Sequence, residues 1–438
     1  MQQHPWLIPL PVLFNLDRVI QWFAGHPEIS DQLQKASQVT KALRQFTVPV
    51  YQVKPDDVAV QQDIFDRMNN YGKRLSKAEV FSALYARNEA VSGESLTFAL
   101  IAERIDAELS FGRIDDDTVL RAILARRGPN VEREIRGEFN DLERRYKVDF
   151  PGEDLDTAYE AGGQALGRAV SFLQQSAGVP HVTFLAYRYL LIVLSRLFAH
   201  HPEPDARNLQ LLRRWFWRAA VVGPTLFKGG TTGTAYALCS RIRPYDLTGS
   251  VQDLLAAVGT NDRPLPDLRR FSANESAAKI ILCAWWSSEP RSPRTGEPYG
   301  RPQLSEALTD QATAARAVHH IFGRRDVPQS HQMWAANYVL IADKDEPVNE
   351  VDSLLAHQPL AIKDGRRWEA TLRSHGITTE TARLLVPDTT VKFLDARQET
   401  LRADLQDFLH RMCEWSFEDT PPLADLIVED LEDDDGSA

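Results

Sequence analysis

Between Arg316 and Asp326 the chain reads RAVHHIFGRRD. Two adjacent histidines, His319 and His320, stand directly ahead of an Ile-Phe pair. Imidazole changes charge near neutral pH, so it can either move a proton or ligate a metal. Two readings of the pair are open. One ring is solvated while the other packs under a loop, or one is a metal ligand beside a general base. Asn337 follows His320 by seventeen residues and Asn349 follows Asn337 by twelve, which adds two amide oxygens at a spacing that a small motif can bring together.

The elements around these residues are short. ARAVHHIF and ANYVLIA are strand-like, NEVDSLLA is a brief helical pattern, and VKFLDARQETLRADLQDFLHRM is a longer amphipathic helix. The run SEPRSPRTGEPYGRP, dense in Pro, Gly and Arg, predicts irregular chain ahead of the pair. Two strands followed by a helix, with His on the first strand and Asn on the loop and helix, is the order of a ββα-metal nuclease finger. Neighbouring residues of a strand face opposite sides, so both histidines can serve one site only near a strand end or a bulge.

Further upstream, the first 60 residues combine helical patterns (LDRVIQWFAG, QLQKASQVTKALRQF) with the β-like run TVPVYQV, predicting a small α/β piece. Ser76 with Glu79 three residues later is a capping-box signature and predicts a helix start. From about Ser92 to Val222 helix follows helix. KGGTTG, Lys228 to Gly233, resembles a phosphate-cradling loop but lacks the order and spacing of a P-loop, and reads as a turn. In LLRRWFWR the arginines Arg213, Arg214 and Arg218 sit among aromatics. Such a mixture can grip a nucleic-acid backbone. The alternative places Trp215 in the core and turns the arginines to water. Arg291, Arg294 and Arg301 are further candidates for phosphate contacts.

With 438 residues and 43% hydrophobic content, the chain can bury cores for two or three domains. Cys239, Cys283 and Cys413 are far apart and odd in number, which supports neither a disulfide framework nor a zinc knuckle. A reducing cytoplasm fits best. The N-terminus carries no signal-peptide pattern. The most apolar run, Thr183 to Ala199, contains Arg188 and Arg196 and is shorter than the roughly 20 residues of a membrane span, so it predicts a buried helix. The net charge of −11 argues at first against nucleic acid. However, ten Asp or Glu and no Lys or Arg lie between Glu414 and Ala438; setting them aside leaves −1 for a nearly neutral body with local basic clusters. The terminal acidic block predicts a disordered tail.

HHIFGRRDVPQSHQMWAANYVLIADKDEPVNEV resembles the HNH nuclease half of GmrSD-type restriction proteins, in its His-His-Ile-Phe strand, its Ala-Asn strand and its later Asn. LRSHGI and KFLDARQETL resemble that family's tail. Upstream, IFDRMNNYGKRLS resembles the Phe-x-x-x-Asn-x-x-Gly-x-x-Leu element of the family's ParB-like nucleotidase domain, carried here by Phe65, Asn69, Gly72 and Leu75. Gly323 stands where the family's strand usually ends in Pro, and the Asp-Gly-Gln-Gln-Arg motif is absent.

The resemblance implies a mainly α, multidomain protein. Residues 1–90 would be the C-terminal remnant of a truncated α/β ParB-like domain, 91–250 a helical domain, 251–420 an HNH-type ββα-metal domain with helices, and 421–438 the acidic tail. It further implies His320 as general base, His319 and Asn349 as metal ligands, and Asn337 as the residue that orients the base or ties the loop. Phe65, Asn69 and Gly72 would be a surviving edge of a nucleotide pocket; otherwise they form a tight turn. The implied activity is a metal-dependent DNA endonuclease of prokaryotic antiviral defence acting on foreign or modified phage DNA. Mg²⁺ or Mn²⁺ is the expected cofactor, with Zn²⁺ or Ni²⁺ admitted by the imidazole. A second protein would supply the missing nucleotide-binding half. The alternative is a decayed DNA-binding or scaffold subunit of a defence complex. Phosphodiester hydrolysis explains the residue types: it needs a deprotonated water, a counter-charge for the crowded phosphate, and help for the leaving 3′-oxygen.

Overall fold

The computed structural model describes residues 7–47, 76–84, 96–135, 137–140, 147–223, 229–259, 263–309, 313–343 and 351–423. Phe65, Asn69, Gly72, Leu75 and Asn349 lie outside them, as do most of TVPVYQV, Lys228 and residues 424–438 of the acidic tail. The chain is mainly helical. It divides into two compact units, Met1–Arg74 and Leu75–Ala438.

The described part of the first unit is a small helical cluster of α1 (Leu10–Leu13), α2 (Leu16–Gly25) and α3 (Leu33–Gln45). Asn15 starts α2 by accepting from the backbone N–H of Asp17 and Arg18, satisfying two of the donors that a helix start leaves free. Val19, Trp22, Phe23 and Ile29 form its core.

In the second unit the helices are α4 (Lys77–Leu84), α5 (Phe98–Leu109), α6 (Asp116–Arg127), α7 (Leu155–Gln175), α8 (Arg188–His200), α9 (Ala206–Val222), α10 (Gly230–Cys239), α11 (Leu247–Val258), α12 (Ser276–Ser287) and α13 (Arg301–Ala307). The strands β1 (Val318–His320) and β2 (Tyr338–Leu340) follow, then α14 (Val351–Ala356), α15 (Gly365–Ser374), α16 (Thr379–Ala382) and α17 (Thr390–Cys413).

The capping box expected at Ser76 is present. Its Oγ accepts from Glu79 N–H at 3.2 Å, its own N–H donates to Glu79 Oε2 at 2.6 Å, and α4 begins at the next residue. The apolar run expected to be buried is α8, buried from Tyr189 through Phe198 and packed on α6 and α7. Helices α6 and α7 approach closely where Gly162 faces Ile123: a Cβ on that glycine would sit 2.7 Å from Ile123 Cγ1. Gly229 to Gly233 turn into the start of α10, with Gly229 in the left-handed region.

One buried core runs from Ala78 to Cys413 and includes residues of both β1–β2 and the helices before them. Helix α17 lies along this core, packing on α9 and α12 and on the 335–337 turn that leads into β2. Among the described residues no helix is long and apolar enough to cross a membrane.

Candidate functional site

The histidine pair sits on an antiparallel hairpin. Val318 pairs with Leu340, His319 with Val339 and His320 with Tyr338. Bonds from Ile321 N–H to Asn337 O and from Ile341 N–H to Ala317 O, both 2.9 Å, extend the ladder at either end. β1 ends at His320, so the pair lies at the strand end that the sequence argument required.

The two rings occupy different surroundings. His319 is half-buried and its ring bonds to the Arg316 backbone; His320 is exposed and lies on the Tyr338 ring, centroids 4.4 Å apart. Partial desolvation against the hairpin lowers the pKa of both rings below the ordinary 6.5. The neighbouring His320 lowers His319 further, and the Arg324 guanidinium does the same to His320. Both imidazoles are therefore neutral at pH 7, which leaves a ring nitrogen lone pair for a proton or a cation.

Asn337, 1% exposed, locks the chain just beyond the pair. Its Oδ1 accepts from Phe322 N–H at 3.0 Å and its Nδ2 donates to Phe322 O at 3.3 Å. Its own turn is held from below by α17. Arg397, 1% exposed, donates to the carbonyls of Ala336 at 2.6 Å, Tyr338 at 2.8 Å and Ala335 at 3.3 Å, and Gln398 Oε1 accepts from Ala336 N–H at 3.1 Å. The other side of the Arg397 guanidinium holds His375 O through two bonds. Burial pulls Arg397 down to about 9. A buried cation spent on carbonyls is costly to maintain and fixes those carbonyls firmly.

His375 is part of this scaffold. It is buried, its Nε2 donates to Arg291 O at 2.7 Å, and burial pushes its pKa down to about 4. His331 lies against Trp334, ring centroids 4.2 Å apart, and Asp343 is exposed. Among the described residues no three His, Cys, Asp or Glu side chains come together to hold a metal ion. Of the two residues expected as ligands, His319 lies in β1 and Asn349 falls outside the described residues. The described residues alone therefore do not complete a metal site.

Two of the three arginines of LLRRWFWR, Arg214 and Arg218, do not face water as the core reading expected. Trp215, Phe216 and Trp217 are buried, but so are Arg214 and Arg218, at 2% and 0% exposure. The start of the acidic segment is what covers them. Arg214 pairs with Glu414 and Asp419, Arg218 pairs with Asp419, and Arg213 reaches Glu414 at 2.9 Å. Arg218 also donates to the carbonyls of Cys413 and Glu414, at 2.9 and 3.0 Å. Charge pairing made burial possible, and these side chains are occupied within the protein. Arg291 donates to Gly296 O within its own loop, while Arg294 is exposed.

Sequence reasoning did not single out Tyr338, Arg397 or Gln398 as supports of the pair. The signal was present as ARQ within the amphipathic pattern of α17, where a period of 3.6 turns Arg397 inward with Phe393, Leu394 and Leu401. The chain matches no protein-family model and no curated protein.

Proposed function

We propose that this chain is a metal-dependent DNA endonuclease of a prokaryotic antiviral system, with His320 as general base. The observation that supports the reading is the hairpin. An exposed, neutral imidazole ends β1, and the backbone two residues further on is clamped by a buried Asn whose neighbours Ala336 and Tyr338 are held by α17. The chain order of β1, β2 and α14 agrees with a ββα-metal finger.

In this reading His320 takes a proton from water as the resulting hydroxide attacks a backbone phosphorus. The new P–O bond forms, the bond to the 3′-oxygen breaks, and that oxygen leaves with a proton from solvent. A divalent cation, Mg²⁺ or Mn²⁺, would supply positive charge for the crowded phosphate and the leaving oxygen, with His319 and Asn349 as the ligands that the resemblance implies. Asn337 acts by holding the strand end, through Phe322, and has no direct role in the reaction.

DNA approaches from the exposed side of His320 in this account. Arg324 and Arg325 are exposed beside the hairpin and are better placed to meet phosphate than the buried Arg214 and Arg218. The second protein that would carry a nucleotide-binding half remains part of the proposal. The test is cleavage of plasmid and phage DNA by the purified chain, with and without that partner, in Mg²⁺ or Mn²⁺, and its loss in His320→Ala.

A further inference from the structure

Two turns beside the hairpin each carry a pair of arginines. One is Gly323–Asp326, closed by a bond from Asp326 N–H to Gly323 O at 3.0 Å, with Arg324 and Arg325 at its centre. The other is Asp267–Arg270, closed by a bond from Arg270 N–H to Asp267 O at 3.3 Å, in which Asp267 Oδ1 also accepts from Arg269 N–H at 2.9 Å. All four arginines are exposed, and no ion pair among the described residues holds any of them. The carboxylate of Asp267 serves its own turn, and that of Asp395 lies 3.9 Å from His331.

Both turns are pinned to the same stretch of chain, 332–337. Phe322 and Val327 are buried on either side of the first turn. Asn337 grips Phe322, and Gln332 Nε2 donates to Arg324 O at 3.0 Å and to Val327 O at 3.4 Å. Leu268 and Phe271 are buried on either side of the second pair. Leu268 O accepts from Ala335 N–H and Phe271 N–H donates to Met333 O, both at 2.7 Å. In each case buried residues anchor the chain before and after the arginines, so the arginines stand out from a backbone that is itself fixed.

The stretch that joins the two turns also reaches His320. The His320 ring lies on Tyr338, Tyr338 donates its hydroxyl to Gln332 O at 3.3 Å, and Phe271 packs on the Tyr338 ring with centroids 4.9 Å apart. Met333, 44% exposed, and Trp334, with the Arg269 guanidinium 5.5 Å from its ring centre, follow Gln332.

We propose that the Asp267–Arg270 turn is a second phosphate-binding element, which together with the Gly323–Asp326 turn forms one surface for the backbone of duplex DNA passing His320. The inference rests on the nuclease reading for its choice of DNA and adds residues that hold it. Guanidinium groups keep their charge at any working pH and match phosphate oxygens with two parallel donors. Contacts of this kind position a duplex without reading its sequence.

Fluorescence anisotropy of short labelled duplexes, titrated with the full chain in EDTA over a range of KCl concentrations, tests it. Arg269→Gln/Arg270→Gln and Arg324→Gln/Arg325→Gln should each weaken binding about tenfold or more and reduce the slope of log K against log[salt] by about 2, for unrelated sequences alike. Arg104→Gln/Arg168→Gln, which removes the same charge from exposed positions on α5 and α7, should bind as the wild type does. The inference is overturned if the wild-type chain does not bind duplex DNA, if Arg269→Gln/Arg270→Gln binds unchanged, or if the Arg104→Gln/Arg168→Gln variant loses as much. Cutting is measured apart from this binding. A chain that binds through both arginine pairs and never cuts supports the surface and sinks the nuclease reading, whereas a chain that cuts and does not need Arg269 and Arg270 for binding sinks the surface alone.

Discussion

Asn337 holds Phe322 by both ends of its amide, accepting from its N–H and donating to its carbonyl, and so fixes the chain two residues beyond His320. An aspartate of the same shape could make only the first bond at neutral pH. The hairpin has three paired residues on each strand, too few to hold its own geometry in water without such ties.

Replacing Asn337 with Ala leaves a buried N–H and a buried carbonyl without partners. Urea unfolding at pH 7 should report a loss of about 2–4 kcal/mol. Asn337→Asp should cost at least as much, because it buries a carboxylate and loses the donor. A loss under about 0.5 kcal/mol for either variant would show that the amide clamps nothing.

The acidic strap on α9 predicts a contrast between two arginines. Arg218, fully buried, holds Asp419 and two carbonyls, so Arg218→Ala should cost about 3–5 kcal/mol. Arg213, with 27% of its side chain exposed, shares Glu414 with Arg214, and Arg213→Ala should cost about 1 kcal/mol or less. Equal effects in denaturant unfolding would contradict the burial assigned to this strap.

His181 and His375 both sit near pKa 4 in the fold, against an ordinary value of 6.5. The unfolded chain binds the two protons first, so stability is complete above about pH 6.5 and falls as pH drops toward 4. At pH 5 each ring should have removed about 2 kcal/mol relative to pH 7. Unfolding curves of the helical body at the two pH values check this; a stability that does not fall would contradict it.

Much of the helical body was legible. Ser76 and Glu79 announced the start of α4 because a capping box is a local, short-range interaction. The apolar run that became α8 read as buried because its period and length left few alternatives. The strand ends of β1 and β2 were legible only approximately: Ala314–Ala317 and Ala335–Asn337 form 3₁₀ turns where strand was expected, since Arg397 and Gln398 bend the second of these from outside the segment. For the arginines of α9 the sequence offered a nucleic-acid grip or a solvated face, and Arg214 and Arg218 are buried. Their partners lie about 200 residues away, at Glu414 and Asp419, and no local pattern encodes such a pairing.

The neutral state of His320 carries a kinetic consequence. A base must be unprotonated to act, and burial with Arg324 nearby holds its pKa below 6.5. The acidic limb of the pH–rate profile for DNA cleavage should therefore lie below the ordinary histidine range, and Arg324→Gln should move it upward. An unchanged limb in that variant would separate His320 from the rate.

The most direct test of the account is cleavage of supercoiled plasmid and phage DNA by the full chain in Mg²⁺ or Mn²⁺, alone and with the partner, beside folded His320→Ala and Tyr338→Phe variants. Metal-dependent cutting that falls by about 10²-fold or more in His320→Ala and survives in Tyr338→Phe is the predicted result. Absence of metal-dependent cutting in every condition, or full cutting by His320→Ala, would contradict it.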